Sequence, residues 1–267
     1  MDSSDIFQDE EQGARLRAEA DFGLREVRPF FSLAEKPKTV LEVGCGTGYL
    51  LTRMAEEFDD ISFTGVEPIG PGFTQFEKAL DTVEKKYENI TFIRQRIEDV
   101  EIDKKYDLIY SINVFEHLDD WREAIDICVS MLNPNGQLVV LCPNYSIPYE
   151  SHFALPIFGT KSFTHKIFSR QIEQLEDRFD AKGLWQSLNF IKVPQVRKYC
   201  ELKGYDLSFD TDIMARMLDR LDEDPEFRKR QSALARLAII ANRLGAGSLL
   251  STLPARCGAY MKVVVRA

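Results

Sequence analysis

Residues 39–48 read Thr-Val-Leu-Glu-Val-Gly-Cys-Gly-Thr-Gly, a β-branched run broken by Gly44, Gly46 and Gly48 at alternate positions. The run suits a buried parallel strand. After it, Tyr49–Phe58 carries Leu50, Leu51, Met54 and Phe58 at helical spacing. Glycines at a strand-to-helix turn let a ligand approach the backbone beside the unpaired N–H groups of the helix. A dinucleotide fingerprint would put its third glycine at position 49, which is Tyr49 here. An acid, Glu42, stands two residues before the first glycine, and a second, Glu67, ends the next β-rich run, 61–66. At the end of the second strand of a doubly wound sheet, Glu67 is placed to accept hydrogen bonds from ribose hydroxyls.

A second group of residues is suited to proton chemistry. The chain has three histidines, His117, His152 and His165. A neutral imidazole is the natural base for a hydroxyl near neutral pH. His117 follows Glu116 directly. His152 lies in Pro143–Pro156, where Tyr145, Tyr149 and Phe153 alternate with Glu150 and His152 and three prolines stiffen the path. Rigid polar groups beside aromatic surface suit a bound small molecule, so Tyr145, Tyr149 and Glu150 are candidate acceptor contacts. Lys161, Lys166 and Arg170 follow closely and read as solvated charge.

These residues need a scaffold of alternating strands and helices. Phe73, Phe76, Leu80, Val83 and Tyr87 mark one helix face, and Trp121, Ala124, Ile125, Cys128 and Leu132 another. The strands between them imply a parallel sheet covered on both sides. Leu16, Ala20, Leu24, Val27 and Phe31 predict one or two N-terminal amphipathic helices over 8–33. They would lie either over the ligand cleft or against the sheet edge. Pro194–Lys203, the stop at Gly204 and Tyr205–Asp210 fit a helix and a sixth strand. Ala259–Arg266 fits a closing antiparallel strand. The chain then divides into an N-terminal helical segment (1–37), a core (38–143), an insertion or lid (144–193), a core helix and strand (194–210), a helical insertion (211–257) and a last strand (258–267). In the second insertion, Met214, Met217, Leu218 and Leu221 predict one helix and Phe227, Leu234, Leu237, Ala238 and Leu244 the next, with Asp222–Pro225 between them.

The E-x-G-x-G-x-G pattern from Glu42 to Gly48, Glu67, the segment Arg94–Val100, the string Asn113-Val-Phe-Glu-His-Leu118 and the stretch Leu132–Pro143 occur in this order. Over residues 38–143 they resemble class I S-adenosylmethionine-dependent methyltransferases. In motifs they stand nearest the small-molecule O-methyltransferases of ubiquinone biosynthesis. The resemblance implies a doubly wound, seven-stranded, mostly parallel sheet of the Rossmann-like methyltransferase type, here with helical cap insertions. It implies S-adenosylmethionine as cofactor, Ile97 against adenine with Glu98 or Asp99 near its amino group, and Asn113 beneath the methionine moiety. The family often has an acid where Arg96 stands. In ubiquinone-type enzymes an E-x-x-E-H string can bind a divalent metal. Here it reads N-x-x-E-H with Asn113 first, a carboxylate is lost, and no metal is expected. The segment 143–156 also resembles, less specifically, methyltransferases encoded with bacterial surface-polysaccharide genes.

Methyl transfer to oxygen requires alignment, exclusion of water and removal of a proton. His117 is the expected base, His152 the alternative, and Glu116 or Tyr145 would orient the acceptor. The expected reaction is methylation of a small-molecule or glycan-like acceptor at oxygen; the alternatives are an N-methyltransferase on a small amine and a cofactor-binding scaffold without chemistry. A net charge of −9 and a pI near 5.1 argue against nucleic acid as partner. The five cysteines are dispersed without metal spacing. The chain opens with an acidic segment and no membrane-length apolar run, so a cytoplasmic, membrane-free protein is expected. Self-association would run through the helical insertions.

Overall fold

The computed structural model describes residues 10–32, 35–70 and 76–266, without the side chains of Gln12, Arg230, Ser232, Ala233 and Leu234. Phe73 and the side chain of Leu234 therefore lie outside the described residues. The strands of the main sheet are β1 (Thr39–Val43), β2 (Ser62–Val66), β3 (Ile90–Ile93), β4 (Tyr106–Ile112), β5 (Leu132–Pro143), β8 (Asp206–Phe209) and β9 (Tyr260–Arg266). A separate hairpin pairs β6 (Tyr149–Glu150) with β7 (Leu155–Pro156). The helices are α1 (Glu10–Val27), α2 (Tyr49–Glu57), α3 (Glu77–Lys86), α4 (Trp121–Ser130), α5 (Lys161–Arg178), α6 (Leu184–Ser187), α7 (Val193–Lys203), α8 (Ile213–Glu223), α9 (Pro225–Arg230), α10 (Ser232–Arg243) and α11 (Ala246–Ser251).

The main sheet has seven strands in the order β3-β2-β1-β4-β5-β9-β8, with β9 antiparallel to both neighbours. This is the doubly wound, mostly parallel sheet the sequence predicts. Its inner strands are apolar because helices cover both faces: Val40, Leu41, Ile109, Tyr110, Leu138 and Val139 are all buried. The order reverses between β1 and β4, and it is at the carboxyl ends of the strands beside such a reversal that open α/β sheets bind ligands. The glycine loop leaves β1 and the Asn113–Leu118 segment leaves β4 on that edge. No helix among the described residues is long and apolar enough to cross a membrane.

Two features differ from the sequence expectation. The turn expected before the fifth strand lies within β5, where Leu132 pairs with Tyr106 and Gln137 with Leu108, so residues 133–136 bulge out around Asn135 at φ 68°. In the second insertion the helix after α8 is broken into α9 and α10, and α9 begins where the Asp224 side chain caps the Phe227 N–H at 2.9 Å. The inward face carries Phe227 and Ala235, with Ala238 and Ile239 partly covered. Leu237 and Leu244, expected on that face, are 66% and 84% exposed, because only the opposite side of α10 meets α8.

The first helix packs Phe22, Leu24 and Val27 into the core with Leu50, Leu51 and Met54 of α2. It is clamped to α8 by charge. Arg220, 1% exposed, bonds Glu19 at 3.0 Å and Asp224 at 2.9 Å with its guanidinium over the Phe22 and Phe227 rings. Buried Glu26 accepts both Arg216 at 2.7 and 2.8 Å and Lys262 of β9 at 3.0 Å. Three segments far apart in sequence are joined there.

Candidate active site

The glycine loop is shaped by short backbone bonds. The Val66 carbonyl accepts from Gly44 N–H at 2.8 Å and Cys45 N–H at 3.1 Å, and Gly48 N–H donates to the Cys45 carbonyl at 2.8 Å. Gly44 sits at φ 74°, and a Cβ there would stand 2.2 Å from the Val114 side chain. The position therefore admits only glycine. Gly46 and Gly48 also have positive φ, and Gly48 opens α2 with no side-chain cap. Glu42 is buried behind the loop and accepts from the Tyr110 hydroxyl at 3.1 Å. Desolvation pushes its carboxyl up to about 8 against the lowering effect of Tyr110. Glu67 accepts from Gly46 N–H at 2.8 Å and Ile69 N–H at 3.3 Å. Burial raises its pKa while those two amides oppose the rise. Glu67 thus holds the loop, Glu42 is tied to β4 through Tyr110, and each Glu67 oxygen keeps a second lone pair for a ligand hydroxyl.

Further along the edge, Ile97 is buried in the core that contains Val66 and Trp121. Beside it Glu98 accepts from Arg96 through one oxygen at 3.3 Å, whereas its Oε2 is buried with no hydrogen-bond partner. A buried acceptor without a donor fits an exocyclic amine such as that of adenine. With the side-chain-free cradle at Gly44–Gly48, this orphaned oxygen makes the residues present a fit for S-adenosylmethionine. Asn113 leaves β4 at φ 56°, accepts from the Tyr260 hydroxyl at 2.7 Å and donates to Glu19 at 3.5 Å.

The second constellation joins two segments. The 3-10 turn Phe115–His117 after β4 presents Glu116 and His117, and the β6–β7 hairpin presents Glu150 and His152. His117 Nε2 and His152 Nε2 each lie 3.8 Å from Glu116 Oε1, and the two rings meet edge to face at 5.1 Å. Glu116 is fully buried, and neither of its oxygens has a hydrogen-bond partner. Desolvation pushes its carboxyl up to about 7, with His152 opposing. Glu150 accepts from His152 Nδ1 at 2.6 Å, from Phe153 N–H at 2.7 Å and from the Tyr145 hydroxyl at 3.2 Å. Burial works against charge on both Glu150 and His152, but their pairing overcomes it. Glu150 is held below the usual carboxylate range and His152 above the usual imidazole range. Burial, then the neighbouring His152, drives His117 well below the usual range.

The expected residues therefore separate into two places. The glycines, Glu42, Glu67, Ile97 and Glu98 line the loop side, and Glu116, His117, Glu150 and His152 form the cluster. Tyr145 stands behind Glu150, stacked on Phe190 at 4.6 Å, and Tyr149 is half-buried in the hairpin. His165 lies on α5 against Trp185, outside the cluster. Two supports carry no sequence signal. Ser187 meets His117 Nδ1 at 2.8 Å, and Asn189 donates to the carbonyls of Phe115 and Leu118 at 2.7 and 2.8 Å. Both come from the far end of 144–193 and fix the turn that carries Glu116.

Comparison with known proteins agrees with this geometry. A family model described as a methyltransferase domain matches residues 15–190. The uncharacterised Mycobacterium tuberculosis protein Rv1509 is 37% identical over 195 residues, covering 72% of this chain and 66% of that protein. Malonyl-[acyl-carrier protein] O-methyltransferase of Acetivibrio thermocellus is 30% identical over 115 residues, covering 43% of this chain and 39% of that enzyme. Among solved structures, the plantazolicin methyltransferase BpumL with S-adenosylhomocysteine aligns with a TM-score of 0.53 at 14% identity, covering 94% and 84% of the two chains. The Haemonchus contortus phosphoethanolamine N-methyltransferase 2 with S-adenosylmethionine aligns with a TM-score of 0.56 at 16% identity, covering 99% and 59%. These structural likenesses bear on fold alone. With its sheet order, glycine cradle and family match together, the chain belongs to the class I S-adenosylmethionine-dependent methyltransferases.

Proposed function

We propose that this protein transfers the methyl group of S-adenosylmethionine to an oxygen of a small-molecule or glycan-like acceptor. The observation that carries this reading is the convergence of Glu116, His117, His152 and Glu150 at the carboxyl edge of the sheet, one turn beyond Asn113. The cofactor, when bound, supplies an electrophilic methyl whose sulfur leaves as a neutral thioether, so no acid is needed at the leaving group. The task left to the protein is the acceptor hydroxyl, whose proton must go as the O–C bond forms. An electron-pair-rich, dehydrated cluster lowers the cost of that loss. His152 rather than His117 leads it, because Glu150 and Glu116 favour positive charge at His152, whereas burial and its neighbour disfavour it at His117.

Residues 144–193 and 211–257 would cover and shape the acceptor site, and the acidic surface speaks against a nucleic-acid acceptor. The exposed Leu237, Ile240, Leu244 and Leu249 of α10 and α11 favour self-association through the second insertion. Sedimentation at rising concentration checks that part. The activity is tested by following radiolabelled methyl from S-adenosylmethionine into a panel of phenols, sugars, carboxylic acids and amines. Label in hydroxyl or carboxyl acceptors, abolished by His152→Ala, is expected. Label confined to amines, or unaffected by that substitution, would overturn the oxygen assignment.

A further inference from the structure

We propose that the outer face of α10 and α11 is a docking surface for an anionic lipid bilayer, on which the protein lies without crossing it. Charge is spread unevenly along the chain. All 43 Asp and Glu stand within residues 1–226, whereas residues 227–267 hold eight Lys and Arg and no acid. Such asymmetry in an otherwise acidic protein points to a polyanionic partner for the basic segment. Within it, Leu237, Ile240 and Leu244 recur at helical spacing on α10 and Leu249 follows on α11, each more than half exposed. Helical geometry puts Arg236 and Arg243 on one flank of that stripe, beside Ile240. Arg236 and Arg256 are exposed and have no acidic partner among the described residues. Arg243 meets Asp222 of α8 at 3.0 Å, but both partners are exposed and such a pair holds weakly.

An apolar stripe flanked by arginines suits a helix lying in a lipid interface. Its aliphatic side chains enter the acyl boundary while the guanidinium groups stay with the headgroup phosphates. Residues 227–257 contain no Trp or Tyr, the side chains that most often anchor a protein partner. A second copy would cover these leucines in lipid-free solution. Across a symmetric contact, however, it brings the same arginines face to face, with no acid in 227–257 to meet them. A nucleic acid would meet the arginines and leave the leucines in water. Lipid alone satisfies both. The expectation of a membrane-free protein rests on the lack of a spanning run, which a helix lying on the surface does not need. None of these residues belongs to the candidate active site, so docking and methyl transfer are separable.

The test is co-flotation of the whole protein with vesicles of phosphatidylcholine alone, or of phosphatidylcholine and phosphatidylserine in equal parts. Binding to the mixed vesicles is expected, about tenfold or more tighter than to phosphatidylcholine alone. It should weaken as salt rises from about 0.1 to about 1 M. Leu237→Gln combined with Leu244→Gln should reduce it about tenfold or more. Arg236→Gln combined with Arg256→Gln should reduce it about five- to thirtyfold. All four positions are exposed, and circular dichroism reports that both variants are folded. No binding, equal binding to the two vesicle types, or binding indifferent to both variants would overturn the docking surface. Self-association lost in the leucine variant, without vesicle binding by the unsubstituted protein, would overturn it too and assign the face to a second copy.

Discussion

The glycine loop and the Glu116–His152 cluster face the same edge of the sheet but are built in opposite ways. The loop is local: its glycines alternate between positions 44 and 48, its two acids stand at the ends of adjacent strands, and backbone bonds to Val66 set its shape. The cluster is assembled from a turn after β4 and a hairpin after β5, with Ser187 and Asn189 holding it from 70 residues away. A cofactor shared across a family can be met by one fixed motif. An acceptor is met by whatever segments the insertions bring up, so its site is written across the chain. If the two regions are separable, substitutions in one should leave the function of the other intact.

The largest effect is expected in the cluster. His152→Ala should lower methyl transfer by about a hundred- to ten-thousandfold, with S-adenosylhomocysteine affinity in calorimetry unchanged. A parallel loss of cofactor affinity would break the division between the regions. Gly44→Ala comes next, since its Cβ meets Val114 at 2.2 Å and its φ is 74°. A strain of about 1–3 kcal/mol should appear as a lower melting temperature together with weakened cofactor binding. Normal binding and stability would mean the loop has more room than its geometry implies. Glu67→Ala removes the acceptor of the Gly46 and Ile69 amides and the expected ribose partner, and should weaken cofactor binding about ten- to a hundredfold. An unchanged dissociation constant would leave Glu67 a loop cap alone.

The smallest effect sharpens the comparison through pH. Glu42 is an acid whose carboxyl is raised from 4.5 to about 8 in the fold. Its contribution to stability is complete below about 4.5 and is lost as pH climbs through about 8, because over that range the unfolded chain ionises while the buried carboxyl must keep its proton. Glu42→Gln keeps an acceptor for Tyr110 and has nothing to ionise. In cofactor-free protein the variant should match wild type near pH 4.5 and melt a few degrees higher at pH 9. A constant difference across that range would place the ionisation elsewhere.

Most of the sheet was legible because buried parallel strands and the helices covering them leave periodic apolar signals, as at Thr39–Val43 and Trp121–Cys128. The outward Leu237 and Leu244 misled for the same reason. Helical spacing reports that a face exists, and only packing decides which face meets α8. The buried Glu26 was invisible, since nothing near it in sequence announces that Arg216 and Lys262 will neutralise it.

By itself, then, the sequence determined the fold class and the cofactor loop, because glycine conformation and strand-end acids act within a few residues of one another. It also named Glu116, His117 and His152 as capable of proton chemistry and Glu150 as an acceptor contact. Only the tertiary structure decided that Glu116 faces both imidazoles, that Ser187 and Glu150 meet the Nδ1 atoms of His117 and His152, and that the Tyr145 hydroxyl bonds Glu150. Those decisions depend on the hairpin folding back over the turn after β4, a contact made by long-range packing that no local spacing encodes.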